Sequence, residues 1–173
     1  MGALKRASLV LPLVALAVIL LGLPNVALGR DGSQFRATLI GYEEVPPINS
    51  PGIAQFHLTL SSTLTGQFSL QYQGLTSPLQ VAHIHFGQER VAGGVMIFLC
   101  GGGGQPACPA TTSGTITGTI SHANVVAIPA QGIQAGDLVS AVQAIRAGVT
   151  YANMHTTNFP GGEIRGQVVP ADG

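Results

Sequence analysis

Apolar residues in this chain recur at every second position, in short runs separated by Gly, Pro, Ser and Asn. That period fits strands with one buried face and excludes a helical core. Ala54, Phe56, Leu58 and Leu60 fall on one side of an extended run, with Gln55, His57 and Thr59 on the other. Phe68, Leu70 and Tyr72 alternate in the same way with Gln67, Ser69, Gln71 and Gln73, and residues 61–66 between the two runs read as a hairpin connection. Ala82, Ile84 and Phe86 alternate with Val81, His83 and His85. Residues 95–99 read as a fully buried strand and residues 115–120 as a Thr/Ile-rich one. Ala152, Met154, Ile164 and Val168 make the apolar face of a last hairpin around residues 158–162. One short helix is predicted over residues 137–147, capped by Asp137, with Leu138, Val142 and Ile145 on one face and Gly148 at its end. The expectation is an all-β domain of about seven or eight strands with one short helix, packed as an immunoglobulin-like or Greek-key sandwich.

Composition agrees with short connections and excludes some functions. Of 173 residues, 24 are Gly and 11 Pro, and only 8% are charged, while 46% are apolar, too many for a disordered chain. Three of the seven basic residues, Lys5, Arg6 and Arg30, lie near the N-terminus. The rest, Arg36, Arg90, Arg146 and Arg165, are scattered against seven acidic residues. Binding to nucleic acid needs clustered cations to displace counterions from phosphate, so no nucleic-acid partner is expected.

The N-terminus reads as an export signal. Lys5 and Arg6 precede an apolar run over residues 7–23, and Ala27 and Gly29 supply the small residues of a cleavage site. The expected division is a signal peptide over 1–29 and one β-rich domain over 30–173. The alternative is an uncleaved anchor, and membrane contact is expected only in that form. Cys100 and Cys108 bracket the run Gly101-Gly102-Gly103-Gly104. In an exported chain they read as a disulfide, with a pair of metal thiolates as the rival reading. No Lys-Ser or Lys-Thr follows the four glycines, so they are not a phosphate loop.

The residues with the most chemistry are three of the five histidines. His83 and His85 are two apart in a strand and therefore share a face, opposite Ala82, Ile84 and Phe86. If His155 lies opposite Glu163 in the last hairpin, antiparallel pairing sets Asn153 near Arg165 and Tyr151 near Gln167. Should the two strand groups be neighbours, His83, His85 and His155 converge on one exposed polar face with Arg165 beside them. Three imidazoles on a sheet suit copper or zinc. The plainer reading makes them exposed or hydrogen-bonding residues of a structural motif, and pairs Arg165 with a Glu along or across the hairpin. His57 reads as a surface residue and His122 as a turn residue. Glu43 and Glu44 precede Val45-Pro46-Pro47, an extended segment; adjacent carboxylates seldom converge on one bond, so acid/base work is not expected of the pair.

Several segments together resemble the CHRD domain family. These are Leu39-Ile40-Gly41-Tyr42-Glu43-Glu44-Val45-Pro46-Pro47, Ala82-His83-Ile84-His85-Phe86-Gly87, Ala144-Ile145-Arg146-Ala147-Gly148, Tyr151-Ala152-Asn153-Met154-His155-Thr156 and Gly162-Glu163-Ile164-Arg165-Gly166-Gln167. The resemblance implies an extracytoplasmic β-rich module, of the kind found in bacterial exported proteins and in the growth-factor antagonist chordin. It implies location in the periplasm, at the cell surface or in the medium. The antagonist role does not carry over, because the Cys-rich domains that bind growth factors are missing.

A second resemblance covers fewer residues. A His-X-His strand, a late His and a Gly-rich segment with an Arg are similar to Cu,Zn superoxide dismutases. That similarity implies His83, His85 and His155 as copper ligands and Arg165 as the guide for the anion. The His-rich zinc loop and the bridging His of that family are missing, so the implied site is copper-only. Two functions are thus expected: an exported binding or structural module working through its His/Arg face, with a protein or small anion as partner, and alternatively a copper-binding redox protein.

Overall fold

In the computed structural model, which describes Gly2 and residues 34–172, nine strands and one α-helix enclose a single apolar core. The predicted signal segment, residues 1–29, lies outside the described residues apart from Gly2. The strands are β1 (Gln34–Ile40), β2 (Ile53–Leu60), β3 (Gly66–Gln73), β4 (Leu79–Phe86), β5 (Gly94–Cys100), β6 (Gly114–Ile120), β7 (Thr150–Thr156), β8 (Ile164–Gln167) and β9 (Val169–Pro170). The helix α1 spans Leu138–Arg146.

All strands belong to one antiparallel sheet in the order β5-β4-β7-β8-β1-β2-β3-β6, with β9 added beside β1. The all-β class with one helix is as expected. The two layers of a sandwich are here parts of a single sheet that nearly closes on itself. Closure comes from the segment after β6: Val125 bridges Ile97 of β5, and the Val126 N–H donates to the Met96 carbonyl at 3.0 Å. Near closure hides the unpaired edges that an open sheet would present to other chains.

The period-2 pattern does what it promised in β2 and β3, and β1 follows it too. Phe35, Ala37 and Leu39, then Ala54, Phe56, Leu58 and Leu60, then Phe68, Leu70 and Tyr72 are buried, and their alternates are mostly exposed. β1 itself was not among the strands read from the sequence. α1 begins where Asp137 accepts from the Ser140 N–H at 3.0 Å, and Gly148, at φ +68°, follows its end. Val142 and Ile145 turn into the core. No helix among the described residues is long and apolar enough to cross a membrane.

β4, β7 and β8 depart from the pattern. β7 reads Thr150, Tyr151, Ala152, Asn153, Met154, all buried, and β8 buries Ile164, Arg165 and Gly166 in succession. Both faces of this patch are covered. Ala82, Ile84, Ala152, Met154 and Ile164 fill the core side. The other side carries polar residues, and loops lie over it.

Candidate metal centre

The outer face of β4, β7 and β8 is built by register. Val81 pairs with His155, His83 with Asn153 and His85 with Tyr151, while Asn153 pairs with Arg165 and Tyr151 with Gln167. The hairpin pairing expected from the sequence is the observed one. Breaks in the β4–β5 register fall between Ala82 and His83 and between Ile84 and His85, and such irregularities re-aim strand side chains.

The three imidazoles meet. Ring centroids of His83 lie 4.7 Å from His85 and 4.5 Å from His155, and His85 lies 6.3 Å from His155. One ligand nitrogen from each of the three can be chosen such that all lie within 4.8 Å of one another. His83 and His85 are 5% and 8% exposed. His155 is half-buried as a residue, yet its Nε2 is out of solvent. The expectation of an exposed face is therefore corrected: the cluster is covered, because the chain after β4 and the 157–162 loop fold back over it.

Hydrogen bonds fix which ring nitrogen is free. His85 Nδ1 lies 2.9 Å from the Gly93 carbonyl and His155 Nδ1 2.9 Å from the Pro160 carbonyl. A carbonyl only accepts, so both Nδ1 atoms donate their proton and both Nε2 atoms carry a lone pair. His85 Nε2, His155 Nε2 and His83 Nδ1 are all buried without a hydrogen-bond partner. Burial holds the His83 imidazole down at about 2, with His155 and His85 adding to the effect. Burial likewise holds His85 down at about 4, against the Gly93 hydrogen bond, and lowers His155. Three neutral imidazoles, two of them oriented by backbone carbonyls, present the lone pairs and the fixed ring orientation that a transition-metal ion requires. Two nitrogens bound at about 2 Å to one ion lie at most about 4 Å apart, so the rings need close by only about 1 Å.

Neighbours hold this geometry. Phe98 of β5 meets the His83 ring edge-on at 5.2 Å, and Gly102 and Gly103 of the Cys loop pack against Phe98 where side chains would overlap it. The glycine run thus serves packing. Tyr151 stacks on His85, with centroids 4.5 Å apart and planes 4° apart, and its hydroxyl accepts from the Gly93 N–H at 3.1 Å. Gly93 is obligatory, since a Cβ there would overlap the Phe86 carbonyl.

Arg165 does not pair with a Glu. It is 3% exposed, its guanidinium carbon sits 3.4 Å above the Tyr151 ring, and its Nη2 donates to the Gln88 and Val91 carbonyls at 3.0 and 2.9 Å. Among the described residues the ion pair formed is Arg90–Glu89, on the surface. Glu163 also departs from the expected outer face. Fully buried, it accepts from Ser50 Oγ, the Thr76 N–H, Thr76 Oγ1 and Thr156 Oγ1, which ties three connections together. His57 is exposed on β2 and His122 opens a 3-10 turn, as expected of each. Cys100 and Cys108 form a disulfide, so the thiolate reading falls.

Sequence reasoning missed Glu44. It is 7% exposed and accepts from Asn153 Nδ2 at 2.8 Å, and burial raises its carboxyl to about 7 despite Asn153 and Arg165. Its signal was the Glu-Val-Pro-Pro segment, which returns the chain across the polar face.

Fold and site together define an all-β domain with a covered three-histidine cluster on its sheet. The chain belongs to the CHRD domain family, whose model matches residues 35–168. Neither a curated protein nor a solved structure matches it. The disulfide fits an extracytoplasmic location.

Proposed function

We propose that this is an exported CHRD-domain protein that binds one copper ion through His83 Nδ1, His85 Nε2 and His155 Nε2 and dismutates superoxide. The observation that carries the reading is a cluster of three histidines, each able to offer a ring nitrogen within 4.8 Å of the others and each keeping one buried ring nitrogen without a hydrogen-bond partner. Leaving such atoms buried and unsatisfied costs stability, and a shared cation removes that cost. An all-imidazole donor set without carboxylate or thiolate suits copper, which also heads the divalent affinity order.

Bound copper supplies a one-electron couple that three imidazoles serve in both oxidation states. The chain's own residues do the rest. The Gly93 and Pro160 carbonyls keep the lone pairs of His85 and His155 turned inward. Arg165 fixes a positive charge over Tyr151, beside His85, which lowers the energy of a small anion near the cluster. The balance is two superoxide ions and two protons giving dioxygen and hydrogen peroxide. The N-terminal segment that reads as an export signal and the Cys100–Cys108 disulfide support action outside the cytoplasm.

Copper titration with spin-resonance spectroscopy tests the reading, beside a His83→Ala/His155→Ala variant. One equivalent of copper with nitrogen-coupled lines, lost in the variant, together with superoxide consumption by the loaded protein, is the expected result. Absence of stoichiometric copper, or binding that the variant retains, would overturn it.

A further inference from the structure

The copper reading uses the histidines and Arg165 and leaves unexplained Glu44, a buried carboxyl that reaches the cluster's face through Asn153. Asn153, its hydrogen-bond donor, sits on β7 opposite His83 on β4 and opposite Arg165 on β8. Asn153 Oδ1 is itself buried and without a donor. Gly162 packs against both Glu44 oxygens and that Asn153 oxygen, where any side chain would collide with them. Glu44 also lines two clefts. One, of about 400 Å³, is shared with Tyr42, Glu43, Val45, Pro47 and Arg90, and the other, of about 250 Å³, with Pro160 and Gly162 among others.

Resting on the copper reading, we infer that Glu44 is the acid that supplies protons to the three-histidine site, held at its station by Asn153. The groups facing it account for its chemistry. From β8 comes the Arg165 charge, whose Nη2 is spent on the Gln88 and Val91 carbonyls. From β7 comes the neutral amide of Asn153, and the 157–162 loop contributes no ionisable group. Across the first cleft lie Arg90 and Glu43. No cation lies within ion-pair distance of Glu44 among the described residues, so burial dominates and the carboxyl keeps its proton to near neutrality, at about 7.

In the dismutation one superoxide is oxidised to dioxygen and the other is reduced to peroxide, which takes up two protons. Glu44 delivers one of them and solvent hydronium or buffer acid the other: the Glu44 O–H bond breaks, an O–H bond forms on the reduced product, and the carboxylate regains its proton from hydronium or buffer acid that enters by the cleft. Asn153 Oδ1 offers an acceptor beside Glu44 to the water or hydroperoxide that carries the proton.

The test compares the copper-loaded protein with its Glu44→Gln and Glu44→Asp variants. Gln keeps an acceptor for Asn153, so copper stoichiometry and nitrogen coupling should be retained. Dismutation by E44Q should be about tenfold or more lower at pH 6, converging with the parent by pH 9, as loss of a general acid requires. E44D should recover part of the difference. Independently of activity, the infrared carbonyl band of a protonated carboxylic acid should titrate away near pH 7 in the parent and be missing in E44Q. Unchanged activity of copper-loaded E44Q at pH 6, or no such band in the parent, would overturn the proton role while leaving the copper reading intact. Failure of the parent to take up copper would overturn both, and is seen before either profile is measured.

Discussion

Removing the carboxylate of Glu163 should loosen the fold and the metal site together. Its two oxygens are the acceptors for Ser50 Oγ at 2.7 Å, the Thr76 N–H at 2.8 Å, Thr76 Oγ1 at 3.0 Å and Thr156 Oγ1 at 2.5 Å, in a site closed to water. In Glu163→Ala the three hydroxyls can turn to other partners, whereas the Thr76 N–H is fixed by the backbone. One orphaned buried donor costs about 1–3 kcal/mol, and hydrogen bonds to a charged acceptor are worth about 1.5–3 kcal/mol each. Because these terms overlap, a total loss of about 3–5 kcal/mol is expected. Glu163→Gln keeps one oxygen for the N–H and presents an amide to hydroxyls able to accept, so about 1–2 kcal/mol is expected. Urea denaturation reads this directly: with a slope of about 2 kcal/mol per molar, the Ala variant's midpoint should fall by about 2 M at unchanged slope. Residue 163 also anchors the end of the loop whose Pro160 carbonyl orients His155, so Ala should weaken copper binding more than Gln does. An Ala variant within 1 kcal/mol of the parent would refute the reasoning, as would Gln being the worse of the two.

Three further outcomes are expected. Glu44 is raised from 4.5 to about 7 in the folded protein, so between those values the native state holds a proton that the unfolded state has lost. Stability should therefore be greatest below pH 4.5 as far as this group is concerned, and fall by at most about 3 kcal/mol as pH rises through 7. The histidines, held neutral by burial, raise the stability of both proteins as pH rises towards 6.5, so the Glu44 contribution is read as a difference: the midpoint of the parent should lose ground to that of Glu44→Gln as pH rises from 4.5 through 7. Gly93→Ala should push the chain away from Phe86, release His85 Nδ1 and lower copper affinity by about 10–100-fold in a chelator competition, as loss of the group that orients a ligating His does. Cys100→Ser/Cys108→Ser should cost about 2–3 kcal/mol, the value for so short a closed loop, read from the same denaturation curves.

The sequence was most informative where a residue's fate depends on its strand alone. Alternation placed Phe56, Leu70 and Ile84 in the core and set His83 beside His85, because strand pleat fixes sides without reference to the rest of the fold. The hairpin register around Asn153 and Arg165 was legible for the same reason. What covers a face was not legible. The imidazoles of His85 and His155 are met by the turns that follow their own strands, at Gly93 and Pro160, and strand alternation does not say that those turns fold back over the face. Arg165 looked free to pair with a carboxylate because nothing local announces Tyr151 or the Gln88 and Val91 carbonyls as its partners. Glu44 was discounted as one of two adjacent acids, yet a strand-to-strand connection separates the pair: Glu43 faces outward and Glu44 inward to Asn153. Near closure of the sheet depends on the meeting of β5 with residues after β6, a contact no local period encodes.

The most direct test of the central claim is a crystal structure of the copper-loaded protein, with anomalous scattering to locate the metal. The account predicts one copper about 2 Å from each of His83 Nδ1, His85 Nε2 and His155 Nε2, with the His85 and His155 Nδ1 atoms still on the Gly93 and Pro160 carbonyls. Copper bound elsewhere, or an empty cluster in crystals that hold copper at other sites, would contradict it.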